Sequence, residues 1–345
     1  MHNTIWHLLF GINTSMYFQR RALVRQIVVV AVVTAQAFFY TFVTTTAAHA
    51  KVTHTIIVVP TKLGGAYQKF IKAFQDSYAA SGGNTAAVTI VESDFIDASL
   101  FDNKNARLIV SVGTVATQKV FELNKTVPVL STLVPRNSYR ILEQKARQQG
   151  RLYSRSAIHL DQPISRHMGL VHRILPNKKT VSVVLGPNTR FLTKELKLAA
   201  GNEGMHIHIE TMGYAQRLIG PLNRALEGSD AFIAVPDSVV SNRQTVQSLL
   251  LMTYRQKVPV IGYSRAYVRA GALAAVYSTP EQIGRQAGEL VGELVRSNSW
   301  SLPALLYPKY FSVDVNRDVA RSLGINVPPK KDIERSLLAA NGEES

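Results

Sequence analysis

Six short polar clusters in this sequence each follow an apolar run, and these are the places where binding chemistry is expected. They are Thr61-Lys62-Leu63-Gly64-Gly65-Ala66, Gly113-Thr114-Val115-Ala116-Thr117, Ser131-Thr132, Gly186-Pro187-Asn188-Thr189, Pro236-Asp237-Ser238 and Gly262-Tyr263-Ser264. Hydroxyls, one amide, one carboxylate and the open N–H groups of helix starts offer hydrogen bonds to a small polar ligand. Tyr263 adds a flat ring on which a planar solute could stack. The candidate ligand-binding residues are therefore Thr61, Gly65, Thr114, Val115, Thr132, Pro187, Asn188, Asp237, Ser238, Tyr263 and Ser264. The same residue types also cap helices, and Thr114, Asn188 and Asp237 each read equally well as N-caps.

Other chemistries fit less well. Gly262-x-Ser264-x-Ala266 approaches a hydrolase nucleophile elbow, but Ala266 replaces the second glycine and the order of elements suggests no acid and histidine to match. His206-x-His208 falls on one face of a strand, and His167 and His172 are not at the i,i+4 spacing of a metal pair. Gly64-Gly65 lacks the lysine and hydroxyl of a phosphate-binding loop. Gly284, Gly288 and Gly292 form a small-residue stripe, but Arg285, Glu289 and Glu293 exclude a membrane helix, so the stripe reads as close helix packing. Neither enzyme, metal nor cofactor is expected.

The elements that carry these clusters alternate. Apolar β-branched runs at 55–59, 87–91, 106–112 and 127–133 are separated by amphipathic segments at 66–80 and 115–123. The rhythm repeats with runs at 180–185, 206–211, 231–235, 258–262, 272–277 and 310–315. Helical segments at 164–175, 191–201, 215–226, 240–254 and 280–295 lie between them. Strands apolar on both faces imply parallel sheets covered by helices. Two such sets exceed one compact sheet, so the expected fold class is α/β with two doubly wound parallel-sheet lobes, a hinge and an interlobe cleft. In such sheets ligands bind outside the carboxyl ends of the strands, where all six clusters lie. Residues 137–155 read as a solvated helix and loop, and those after Pro328 as a frayed tail.

Composition bounds the setting. The chain has 345 residues, 46% hydrophobic and 18% charged, and a mean hydropathy of +0.03, which suits a globular protein. Arg20, Arg21 and Arg25 precede an apolar run of 17 residues, Ile27 to Val43, and then Ala48-His49-Ala50. That is the order of a secretory signal, with cleavage expected after Ala50 and Met16 a possible true start. An uncleaved anchor is the alternative, although the run is at the short edge of what spans a bilayer. The sequence contains no cysteine, hence no disulfide and no lipidated cysteine, which fits a soluble periplasmic protein. Net charge is +16, or +13 after residues 1–50 are removed. That excess favours an anionic solute or a membrane surface; export argues against nucleic acid.

Several motifs carry a family resemblance. Leu175-Pro176-Asn177-Lys178, Val235-Pro236-Asp237-Ser238-Val239, Val258-Pro-Val-Ile-Gly-Tyr-Ser264, Gly271-Ala272 with Val276-Tyr277-Ser278, and Phe311-x-Val313-x-Val315-Asn316 are in series. Together with Ser111-Val-Gly-Thr-Val-Ala-Thr117, this series resembles the TrpX-like group of ABC-transporter substrate-binding proteins, over roughly residues 53–328. The resemblance implies a type I periplasmic-binding fold with three interlobe crossovers. Lobe one would hold 53–162 and 268–300, lobe two 163–267 and 301–330, with 331–345 as a tail. It also implies that Thr114, Asp237, Ser238 and Tyr263 face the cleft, that the solute is amino-acid-like where the charge alone suggests an anionic one, and that an inner-membrane permease is the partner. The loop Thr61–Tyr67 and the run Ser131–Pro135 depart from the pattern expected for aromatic amino acids. The competing function is a periplasmic sensor or scaffold that signals to a membrane receptor or envelope complex.

Overall fold

In the computed structural model, residues 55–102 and 105–340 are described; the export signal expected over 1–50 lies outside them. Five strands follow from the apolar runs of the first half: β1 (Thr55–Pro60), β2 (Val88–Ile90), β3 (Ala106–Val112), β4 (Val129–Val134) and β5 (Arg155–His159). They form one all-parallel sheet in the order β2-β1-β3-β4-β5. Ile56, Val58 and Val110 are fully buried on one face, and Ile57, Val59 and Ile109 on the other. Such two-sided burial requires helices on both faces. The chain supplies α1 (Gly65–Ala80), α2 (Thr114–Leu123) and α3 (Arg136–Gln148).

The second sheet has six strands: β6 (Thr180–Leu185), β7 (His206–Thr211), β8 (Ala231–Ile233), β9 (Val260–Gly262), β10 (Ala274–Tyr277) and β11 (Ser312–Val315). Their order is β11-β10-β9-β8-β6-β7, parallel except for the β10–β11 pair. It is covered by α4 (Ile164–Ile174), α5 (Thr193–Asn202), α6 (Ile219–Leu226), α7 (Val246–Arg255) and α8 (Arg265–Ala270). The expected helix over 240–254 begins only at Val246. Ahead of it, Asn242 Oδ1 accepts from the N–H groups of Gln244 and Thr245, a side-chain arrangement that competes with helix.

After β10 the chain returns to the first lobe as α9 (Pro280–Arg296). Pro280 opens it and a reciprocal Thr279–Gln282 capping box closes its start. The glycine stripe faces α1. A Cβ on Gly284 would lie 2.4 Å from the Phe70 carbonyl oxygen, and one on Gly288 2.5 Å from that of Phe74. Close helix packing is therefore what the stripe does.

The expected lobe boundaries need correction. Strand β10 pairs with β9 and β11, so 268–277 belongs with the second sheet. Residues 301–306 stay with the first, where Leu306 bridges β5 (His159 N to Leu306 O, 2.9 Å; Leu306 N to Ala157 O, 2.8 Å). Pairing partners, not apolar content, set lobe membership, and a short run such as Ala-Ala-Val-Tyr is silent about its partner. The chain thus crosses at 160–163, 278–279 and 307–311. The expected tail is also ordered to residue 340. After α10 (Arg317–Ser322), α11 (Lys330–Ala340) buries Ile333 and Leu337, and Leu337 packs against Gly169 of α4. Their i,i+4 spacing on an otherwise polar helix supplies the apolar stripe.

Candidate functional site

The two lobes and the crossovers enclose a cavity of about 270 Å³. Its floor comes from the crossovers: Leu160, Asp161 and Gln162 from the first, Ser278 from the second and Tyr307 from the third. Polar side chains lock these strands of the hinge together. Gln162 Nε2 donates to Ser278 Oγ (2.8 Å), whose hydroxyl donates to the Tyr310 carbonyl. Arg166 Nη1 donates to Gln162 Oε1 (2.9 Å) and to the Pro308 carbonyl.

The lobes supply the walls. Arg136, at the start of α3, reaches across to Glu195 of α5, with Nη1 2.5 Å from Oε2. The same nitrogen donates to the Tyr307 hydroxyl, which itself donates to Glu195 Oε1 (2.9 Å). The guanidinium lies over the rings of Phe191 (5.2 Å) and Tyr307 (5.5 Å). Asn137 Nδ2 spans the lobes too, donating to the Pro236 carbonyl (3.3 Å).

Charge in this cavity is sparse and shifted. Asp161 Oδ2 accepts from the Arg136 backbone N–H (2.6 Å). Burial raises its pKa to about 6, despite that bond and the Arg136 charge. Arg136 is pulled down by burial, but its bond to Glu195 and the nearby negative charges more than compensate, and it stays protonated. His167 in the first turn of α4 is 3% exposed, and burial lowers it to about 4. His159 under the floor behaves alike, at about 4.

Of the candidates read from sequence, Tyr263 and Ser264 line the cavity. Tyr263 packs at 5.0 Å from the Tyr267 ring and donates to the Ser241 carbonyl (3.3 Å); burial raises its phenol. Ser264 caps α8 by accepting from Tyr267 N (3.3 Å). Asp237 sits one step behind the wall. Its oxygens accept from Gly186 N (3.0 Å), Thr189 Oγ1 (2.5 Å), Val239 N (2.7 Å) and Val240 N (3.0 Å). It thereby clamps two loops and positions Thr189, which does line the cavity.

The remaining candidates lie outside this cavity wall. Thr61 Oγ1 donates to the Val112 carbonyl and accepts from Ala116 N, joining β1 to the start of α2. Thr132 is buried and donates to the Ser111 carbonyl (2.9 Å). Gly65, at φ +53°, opens α1, while Thr114 and Val115 open α2, where Val115 is exposed. Pro187 and Asn188 follow β6, with Asn188 Oδ1 accepting from the exposed Tyr214 hydroxyl (3.0 Å). Ser238 borders an outer groove shared with Tyr214 and Asn242. Of the residues named from the strand ends, Tyr263 and Ser264 are the ones in the cavity wall.

Arg136, Asp161, Gln162, His167, Phe191 and Tyr307 were missed. A signal existed for two of them: Arg136 directly follows Val134-Pro135, another strand end, and Asp161-Gln162-Pro163 is a polar break between strand and helix. Nothing local marks Phe191 or Tyr307.

Two parallel-sheet lobes, three crossovers and a cavity at their junction define a type I periplasmic-binding architecture. The family model described as "ABC transporter substrate binding protein" matches residues 62–330, and the chain belongs to that family. It is therefore a solute-binding protein of an ABC-type system, with a small molecule and a membrane permease as partners, and its family is not an enzyme class. Such proteins are typically periplasmic or extracellular. A tyrosine-binding protein of Clostridioides difficile (strain R20291) is 22% identical over 251 residues, 69% of this chain and 70% of the relative. Among solved structures, a ligand-free, open substrate-binding protein with adhesive properties from Clostridium difficile matches with a TM-score of 0.62. It is 18% identical, over 81% of this chain and 97% of that one. The ABC domain from Streptococcus pneumonia in complex with L-Trp matches with a TM-score of 0.54 and 18% identity, over 82% of this chain and 98% of that one. At these identities the structures share the fold.

Proposed function

We propose that this protein captures an amino acid with an aromatic side chain in the interlobe cavity and delivers it to an inner-membrane permease from the periplasm. The observation that carries the reading is the pairing of Arg136 and Asp161 in a cavity whose wall also holds the rings of Phe191, Tyr263 and Tyr307, aliphatic side chains and uncharged polar groups. A zwitterion needs one cation and one anion, and these are the two charged groups of the wall. The bonds described for the Arg136 side chain use Nη1, so the rest of its planar fork is available to a carboxylate. Asp161 accepts an ammonium.

Binding draws the lobes together about the crossovers, as in other hinged binding proteins. The names of the tyrosine-binding relative and the Trp-bound neighbour support the ligand class. Residues 1–50 act as a cleaved signal peptide, and the mature chain begins at Lys51; intact mass of protein from the periplasmic fraction checks this.

Calorimetry against the standard amino acids tests the ligand. We expect heat with aromatic amino acids, and a loss of roughly ten-fold or more in affinity for Arg136→Ala and for Asp161→Asn. No heat with any aromatic amino acid would defeat the reading.

A further inference from the structure

The cavity wall spends most of its donors on the protein itself. Gln162 donates to Ser278, Ser278 to the Tyr310 carbonyl, Tyr263 to the Ser241 carbonyl and Thr189 to Asp237. Beside the donors left over, such as the Arg136 fork and the Ser264 hydroxyl, the wall offers a ligand acceptors. Asp161 is one. The other is less obvious.

His167 Nδ1 lies 3.3 Å from the Pro163 carbonyl oxygen. A carbonyl can only accept, so Nδ1 carries the hydrogen, and a neutral imidazole then has a bare lone pair on Nε2. That Nε2 is sealed from water and has no partner among the described residues. The imidazole is neutral at ordinary pH, because burial and the adjacent Arg166 charge both disfavour the cation. Buried acceptors are nearly always satisfied. His167 is one of the residues that line the cavity, so the cavity's occupant is the group that can come within reach of this ring as the lobes close on it.

We propose that His167 is a specificity-determining residue, whose Nε2 accepts a hydrogen bond from an N–H or O–H group on the ligand's side chain. This rests on the amino-acid reading above and sharpens it. Ligands with a donor on an aromatic ring, an indole N–H or a phenol O–H, are favoured over phenylalanine, which would leave Nε2 unpaired. It also separates the cavity from the chain's overall charge of +16, which by itself argues for an anionic solute.

The test uses calorimetry on the full chain with L-tryptophan, 1-methyl-L-tryptophan, L-tyrosine and O-methyl-L-tyrosine. Methylation removes the donor and is expected to weaken whichever parent binds by roughly ten-fold or more. In His167→Phe the methylated and parent ligands should bind within about two-fold of each other, and in His167→Gln, which keeps an acceptor, part of the preference should return. Circular dichroism establishes that each variant is folded. An undiminished preference in His167→Phe overturns the proposal. Side-chain 15N shifts of His167 in the native chain supply a second readout, free of any ligand. A bare Nε2 at neutral pH upholds the acceptor assignment; a protonated Nε2 defeats it. If neither the four probes nor L-phenylalanine binds the native chain, the amino-acid reading fails, and the nitrogen shifts still decide what His167 is; binding of phenylalanine alone overturns the specificity proposal and leaves that reading standing.

Discussion

Asp161 shows what a buried carboxyl in the cavity wall costs. Its carboxyl titrates near 6 because burial outweighs the Arg136 backbone bond and charge. Against an ordinary value near 4, the folded state holds the proton more tightly than the unfolded chain. The associated stability is fully present at low pH and is lost as pH rises through 6. Asparagine keeps an oxygen for the Arg136 N–H and carries no charge. We therefore expect Asp161→Asn to raise unfolding free energy by about 2 kcal/mol at pH 8 and by nearly nothing at pH 4. Urea unfolding at the two pH values checks this, and equal effects at both would contradict it. The same variant should bind ligand worse, which separates a functional cost from a structural one. Asp237 is the contrast: its carboxylate was legible as a special residue, but its four short bonds go to the protein's own loops. Sequence shows that an aspartate follows a strand; only the fold shows which way its oxygens turn.

Helix α9 joins sequence to packing in a single stripe. Gly284 and Gly288 press against backbone carbonyls of α1, not against movable side chains. Alanine at 284 would gain about 1 kcal/mol of helix propensity. It would also put a methyl group 2.4 Å from the Phe70 carbonyl oxygen. Displacing a helix backbone in a packed core costs about 2–3 kcal/mol, so the clash wins. Gly284→Ala should lower the unfolding free energy by about 1–2 kcal/mol, read as a shift of the urea midpoint. A stabilised variant would mean that the two helices are not in backbone contact. The charged residues on this helix excluded a membrane span, and the spacing revealed the stripe. The partner helix could not be named, since α1 lies some two hundred residues earlier in the chain.

For the molecule as a whole, acid should be more damaging than base. His159 and His167 titrate near 4 when folded, against about 6.5 unfolded. Their stability contribution is complete above 6.5 and is lost as pH falls toward 4, up to about 3 kcal/mol each. Asp161 moves oppositely below 6, returning about 2–3 kcal/mol. Two histidines outweigh one aspartate, and carboxylates held low by their partners, such as Asp230 and Asp314, add to the acid loss. The urea midpoint should fall between pH 6.5 and 4. In His159→Phe, which removes two unpartnered ring nitrogens while keeping the edge-to-face geometry with Tyr139 and Tyr307, it should fall roughly half as much on the histidine account. A flat profile across that window would show that both imidazoles reach water.

What the sequence determined by itself was periodic and local. Apolar β-branched runs alternating with amphipathic segments specified parallel sheets under helices, because strands buried on both faces leave no other arrangement. Their repetition specified two lobes, and the motif series specified the family. What the tertiary structure decided was which distant segments meet. Strand β10 joined the second sheet, 301–306 stayed with the first, and Arg136, Asp161, His167, Phe191 and Tyr307 converged at the crossovers. A ligand cavity between lobes is built from segments far apart in the chain, and no local spacing records that they will touch.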